Sequence, residues 1–252
     1  MDISTHIDAL EQQGQLLGDA AQRNSLDAAL PPCPDWQLRD LLNHIVDVNR
    51  WAASYVSSGR SEPMSEAEEN EFFSADRPAD ANLVDWFREG HRSLIGALRA
   101  APDDLACWKF LPAPSPLAFW ARRQAHETTV HRYDAESATG DFSPIDPLLA
   151  ADGVDELFRG FAARGNKLLR DPERCMSVTA TDTGDRWHVT LGPETVSISG
   201  AEVPTVAECR VSGRAEDLYF GLWNRVPTTR LHVDGDPDVL AGFCDSLRVR
   251  WS

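Results

Sequence analysis

Through the first half of the chain, apolar residues recur every three or four positions, as on one face of a helix. Ile3, Ile7, Leu10, Leu17 and Ala21 predict a helix over 3–22. Residues 24–35 carry Pro31, Pro32 and Pro34 and read as a connector. Asp35 is then expected to cap a second helix, whose stripe of Leu38, Leu41, Leu42, Ile45 and Val48 runs to about Tyr55. Residues 58–80 hold Gly59, Pro63, Pro78 and five glutamates, and predict an acidic linker with at most a short helical turn; a lid over a site is the sharper reading. A third helix over 83–100 follows from Leu83, Trp86, Phe87, Leu94, Ile95 and Leu98. After a loop over 102–114, Ser115 as N-cap and Pro116 at the first helical position open a fourth helix to about 137, which Gly140 and Pro144 end. Four helices of this length suit a bundle.

Near residue 145 the pattern changes. One more helix is expected over 147–169, and then short runs rich in Val, Thr and Ile at 176–181, 187–191, 195–199 and 209–211 read as strands separated by glycines. A helix over 215–223, a strand over 231–233 and a helix over 237–247 close the chain. The fold class is therefore α+β in two domains, a helix bundle over 1–145 and a small α/β domain over 146–252.

Composition narrows the function. Lys and Arg number 24 against 40 Asp and Glu, a net charge of −16. A nucleic-acid partner, which demands a basic face, is therefore not expected. No apolar run resembles a signal peptide or approaches the ~18 residues of a membrane span, so no membrane partner is expected either. The five cysteines (Cys33, Cys107, Cys175, Cys209 and Cys244) are scattered and odd in number, which fits reduced thiols and a cytoplasmic location.

The fourth helix carries the chemistry. On it Glu127 and His131 are four apart and project from one face. His126 precedes Glu127 in a way that invites a metalloprotease reading, but His131 lies five residues on, about 140° round the helix at ~100° per residue. His126 and His131 cannot easily share an ion; Glu127 and His131 can, which makes Glu127 a ligand rather than a general base. A third ligand must then come from another helix. His44, beside the buried stripe of the second helix, needs a partner of its own.

The motifs Cys33-Pro34-Asp35-Trp36, Arg39-Asp40-Leu41-Leu42-Asn43-His44 and Arg122-Arg123-Gln124-Ala125-His126-Glu127-Thr128-Thr129-Val130-His131-Arg132 resemble the mycothiol-dependent maleylpyruvate isomerase family, a branch of the DinB-like metal-binding four-helix bundles. The later runs Leu218–Arg225 and Leu231–Asp236 resemble that family's C-terminal domain, which is similar to sterol-carrier-type folds. The resemblance covers nearly the whole chain. It implies a divalent metal, usually zinc, on His44, Glu127 and His131, and mycothiol as thiol co-substrate for a small-molecule electrophile.

Three protein ligands leave a position open for water or thiol. A metal there would turn a thiol of pKa ~8.5 into its nucleophilic thiolate. The expected activity is isomerisation or S-transfer on a small acidic electrophile; hydrolysis at the same site and non-catalytic ligand binding are the alternatives. Arg225 is the expected catalytic residue, as a cation for an acidic substrate, with Arg122 and Arg123 next. His126 is expected to support or cap, Asp134 to orient His131 or continue the polar face, His91 to be partly exposed or at the core edge, and Trp36 and Trp120 to be core aromatics, with pocket walls as the sharper alternative. Cys33 is expected to be structural.

Overall fold

A computed structural model of the chain describes residues 1–73, 77–164, 166–200 and 207–249. It is α+β and divides into two compact units, Met1–Ser143 and Pro144–Ser252. The first holds helices α1 (Ile3–Arg23), α2 (Leu38–Ser58), α3 (Glu66–Phe73), α4 (Leu83–Ala100) and α5 (Pro116–Glu136), with a short hairpin of β1 (Ala29–Leu30) and β2 (Cys33–Gln37). Helix α1 packs on α4 and α5, and α2 packs on the same two, which closes a four-helix bundle. Its core includes Leu17, Leu30, Leu38, Leu41, Leu42, Ile45, Val46 and Phe87. Among the described residues, no helix is long and apolar enough to cross a membrane.

Local signals account for most helix ends. Asp2 accepts from the Thr5 backbone to start α1, and Ser115 accepts from Ala118 ahead of Pro116 to start α5. Helix α2 stops at Gly59 in the left-handed conformation, φ 65°, which glycine adopts without steric cost. The expected Asp35 cap is corrected. Residues 33–37 pair with Ala29 and Leu30 as a strand, so the backbone stays extended past Asp35. The cap passes to Gln37, whose N–H donates to Asp40 (2.8 Å).

The acidic segment is more ordered than a solvated linker, although its residues 74–76 lie outside the described residues. Four of its glutamates lie on the eight-residue α3, which is exposed except for half-buried Glu69, Phe72 and Phe73. Arg60 grips Glu68 with two hydrogen bonds (2.8 and 2.9 Å), Met64 N–H donates to Tyr55 Oη (2.6 Å), and the Arg50 guanidinium lies over the rings of Phe72 and Trp86. The loop before α5 is held by an aromatic cluster of Trp51, Tyr55, Trp108, Phe110, Phe119 and Trp120, in which Trp120 Nε1 donates to the Trp108 carbonyl (2.9 Å). Trp120 is thus a core aromatic, wholly buried.

In the second unit, α6 (Pro147–Glu156) leads to a five-stranded mixed sheet. Among the described residues its strands are β3 (Arg174–Ala180), β4 (Arg186–Leu191), β5 (Val196–Ser199), β6 (Cys209–Gly213) and β7 (His232–Gly235), ordered β5-β4-β3-β6-β7, with β3 and β6 parallel and the other neighbours antiparallel. Helix α7 (Ala215–Leu222) joins β6 to β7, and α8 (Pro237–Ser246) packs on β3 and β6. The single helix expected over 147–169 is corrected, its residue 165 lying outside the described residues. Helix α6 gives way to a π-helical turn over Leu157–Phe161 and then short 3₁₀ turns. Leu157 and Phe158 are adjacent and both buried, Phe158 against Trp187 and Phe243, and Gly160 adds little helical preference.

Two polar features inside the bundle set its stability. Arg132 and Glu136 form a fully buried ion pair (2.6 Å), completed by Arg132 to Gln13 (3.0 Å) and to the Ser143 carbonyl (2.7 Å), and by Ser143 Oγ to Glu136 (2.6 Å). His91, expected at the core edge, is instead buried between α4 and α1, stacked on Phe87. It lies so close to Gly14 that a Cβ there would sit 2.0 Å from its Nε2, so only glycine fits.

Replacing Glu136 by Ala would leave the Arg132 charge buried without its carboxylate. Denaturant melts should show E136A less stable by about 3–5 kcal/mol; a loss under 1 kcal/mol would contradict the buried-pair account. Burial lowers the His91 pKa to about 4, against the opposing pull of the Glu11 carbonyl and carboxylate. The unfolded chain therefore binds a proton between pH ~6.5 and 4 that the folded chain refuses, and stability falls as pH drops through that window. The expected loss is up to about 3 kcal/mol, and H91L should flatten the pH dependence of Tm by a corresponding amount.

Candidate functional site

Helix α5 has charged and polar residues mixed with apolar ones around its whole circumference, yet nearly every residue from Leu117 to Glu136 is buried. Its charged side chains therefore need partners, and most find them on the helix itself. Glu127 and His131 face α2, where His44 approaches. Glu127 Oε1 lies 3.3 Å from His44 Nε2 and 3.2 Å from His131 Nε2. The three donor atoms, one from each residue, all fall within 4.8 Å of one another. All three side chains are largely buried, His44 the least so at 15% exposure.

Each of these groups is held from behind. Arg123, one turn before Glu127 and itself buried, donates from Nη2 to Glu127 Oε2 (3.2 Å), which leaves Oε1 to the imidazoles. Asp134 Oδ2 pairs with His131 Nδ1 (2.9 Å) and also accepts from the Cys33 thiol (3.5 Å). Trp36 on β2 lies against both imidazoles, near-parallel to His131 (22°, centroids 6.1 Å apart) and tilted against His44 (5.0 Å). The two imidazoles meet edge to face at 5.0 Å.

The electrostatics follow from burial and partners. Burial alone would raise the Glu127 pKa, but hydrogen bonds from His131 and His44 and the charge of Arg123 hold it well below the ordinary value. Burial likewise opposes charge on His131, yet the carboxylates of Asp134 and Glu127 raise its pKa to about 9. Glu127 is thus a fixed carboxylate, and a poor choice for a group that must take and give protons.

The donors suit a divalent metal. Tetrahedral bonds of ~2 Å place neighbouring ligand atoms about 3.3 Å apart, close to the two separations around Glu127 Oε1. Two imidazole nitrogens and a carboxylate oxygen are ordinary zinc donors, a set also open to other borderline divalent ions. With Asp134 holding His131 at Nδ1, its Nε2 is the nitrogen that points at the centre.

A family model described as the mycothiol maleylpyruvate isomerase N-terminal domain matches residues 7–136, and one described as the MDMPI C-terminal domain matches residues 149–242. The chain belongs to the mycothiol maleylpyruvate isomerase family. It is an enzyme of that kind, with both of the family's domains in order. Crystal structures of the mycothiol-dependent maleylpyruvate isomerase and of a mutant of it share the fold, each with a TM-score of 0.65 over 93% of both chains, at 13% and 12% identity. No curated protein matches the chain at a significant level.

His126 stands apart from the three donors, fully buried with its ring edge-on to His6 of α1. Asp134 does orient His131. Trp36 is half-buried, packed against the bundle core as expected, and its ring also walls the two imidazoles. Arg225 lies in the second unit, half-buried, and donates to the Trp223 carbonyl (2.9 Å). Arg122 is half-buried on α5. Arg123, weighed as a substrate cation, instead braces Glu127. Its spacing of four from Glu127 is the one sequence signal that points to that role.

Proposed function

We propose that this enzyme uses a divalent metal, zinc by donor type, held by His44, Glu127 and His131, and mycothiol as its thiol. Its reaction is isomerisation of, or S-transfer to, a small acidic electrophile. The observation that carries the reading is the approach of two imidazole nitrogens from different helices to one oxygen of a fixed carboxylate. When bound, such a metal supplies the Lewis acidity that keeps a thiol as its thiolate near neutral pH.

The chain's own residues supply the rest. Asp134 keeps a proton on His131 Nδ1 and so leaves Nε2 as a donor. Arg123 and the imidazoles keep Glu127 anionic, a holding group throughout. Trp36 covers the imidazoles on one side and limits water there.

In the isomerisation, the thiolate sulfur forms a bond to one carbon of a cis double bond conjugated with a carbonyl. The π pair moves to the carbonyl oxygen, and the former double bond can now rotate. The pair then returns, the carbon–sulfur bond breaks, and the trans product leaves with the thiolate regenerated. No proton is consumed. The family's name makes maleylpyruvate, a keto acid with two carboxylates and a cis double bond, the first substrate to try. Arg225 is our proposed cation for one of its carboxylates.

Metal analysis of purified protein should find a stoichiometric divalent ion, and H44A should hold at least 10-fold less after dialysis against a weak chelator. Full occupancy in H44A would remove His44 from the ligand set. Turnover of maleylpyruvate should require added thiol; equal turnover without thiol would replace this reading by hydrolysis. R225A should lose activity while melting at the wild-type temperature, and unchanged turnover would eliminate Arg225.

A further inference from the structure

Arg123 is a buried cation at the edge of a site whose natural occupant is itself a cation. Metal attraction alone would disfavour it. Its Nη2 sits 3.2 Å from Glu127 Oε2, with the arginine side chain 1% and the glutamate 5% exposed. Such a pair is little screened by water, so its charge acts on everything nearby.

Among the described residues, the charged groups in hydrogen-bond contact with the donors, and the nearest one on α2, can be counted. Glu127 and Asp134 each carry a negative charge and Arg123 a positive one. Asp47, one turn from His44 on α2, is matched by Arg77 (2.7 Å) and adds nothing. With neutral imidazoles, a divalent ion brings this cluster to a net charge of plus one. A neutral further ligand would leave that charge buried, whereas a single anion would cancel it. Without Arg123 the preference reverses, since the loaded cluster would already be neutral.

We propose that Arg123 is a positioning residue with two roles. It holds Glu127 Oε2 so that only Oε1 serves the donor cluster, and its charge makes the loaded site select an anionic exogenous ligand such as a thiolate over a neutral one. This inference rests on the metal reading above. It deepens that reading by assigning ligand selectivity to a residue outside the donor set. An arginine suits both roles, because its guanidinium stays charged when buried and its Nη2 reaches one oxygen of the carboxylate while leaving the other free for the cluster.

The test uses the full chain loaded with cobalt(II), whose absorption reports ligands directly. Wild type, R123M and R123K are titrated at one pH with 2-mercaptoethanol, an anion when bound, and separately with imidazole, a neutral ligand. In R123M the thiol affinity, read from the sulfur-to-cobalt charge-transfer band, should fall about tenfold or more, while imidazole affinity stays within about threefold. R123K keeps the charge and should bind the thiol within about threefold of wild type. It also decides the matter if R123M does not fold, since a tenfold loss of thiol affinity in folded R123K would overturn the charge argument. Unchanged thiol affinity in R123M, or an equal loss for both ligands, would likewise overturn it. Failure of wild type to take up cobalt would instead bring down the metal reading itself.

Discussion

Glu127 is a carboxylate taken almost wholly out of water, and the bundle is arranged around satisfying it. An isolated charge at that depth would cost several kcal/mol. Here His44 and His131 converge on one oxygen and Arg123 takes the other. Because His44 comes from α2 and Glu127 from α5, the contact also sets how those helices align. Seven residues further along α2 stands Trp51, and seven residues back along α5 stands Trp120; their rings meet at 5.2 Å. Two turns in opposite directions on the two helices thus return to the same seam, as antiparallel packing requires. The polar contact and the aromatic one fix a single register from two ends.

The same constraint accounts for the character of α5. A helix with charges on all sides is ordinarily at least partly solvated, and this one is buried. It tolerates burial by pairing charges along its own length, Arg123 with Glu127, His131 with Asp134 and Arg132 with Glu136. Side chains three or four apart on a helix are neighbours, so the pairs form as the helix forms. Pairing within the helix means the site's charges and orientations are set before any ligand arrives. That is the condition for electrostatic selectivity, because a preset dipole need not reorganise at the moment of binding.

Much of this was legible in the sequence. The apolar periodicity of α1, α2 and α4, the Ser115 and Pro116 start of α5 and the β-rich runs of the later strands are local properties, and they predict these elements nearly where they occur. The grouping of Glu127 with His131 and the separation of His126 followed from helix geometry alone. Less legible were features that depend on distant contacts. The hairpin over 29–37 delays the start of α2, Arg50 and Arg60 give the acidic segment a place to dock, and the π-helical turn after α6 serves a buried Phe158.

The order of residues by itself determined which side chains share a helix face, since rotation per residue is a constant of the backbone. It determined likewise that a third donor for Glu127 and His131 had to come from elsewhere. Only the tertiary structure decided which faces lie inside. Arg123 four before Glu127 reads the same on a wet surface as in a core, and Trp36 and Cys33 reach His44, His131 and Asp134 only because a two-stranded hairpin folds back on the bundle. Burial is a property of the whole packed assembly, and it is burial that turns an ordinary helical ion pair into a group with a lasting electrical effect on its neighbours.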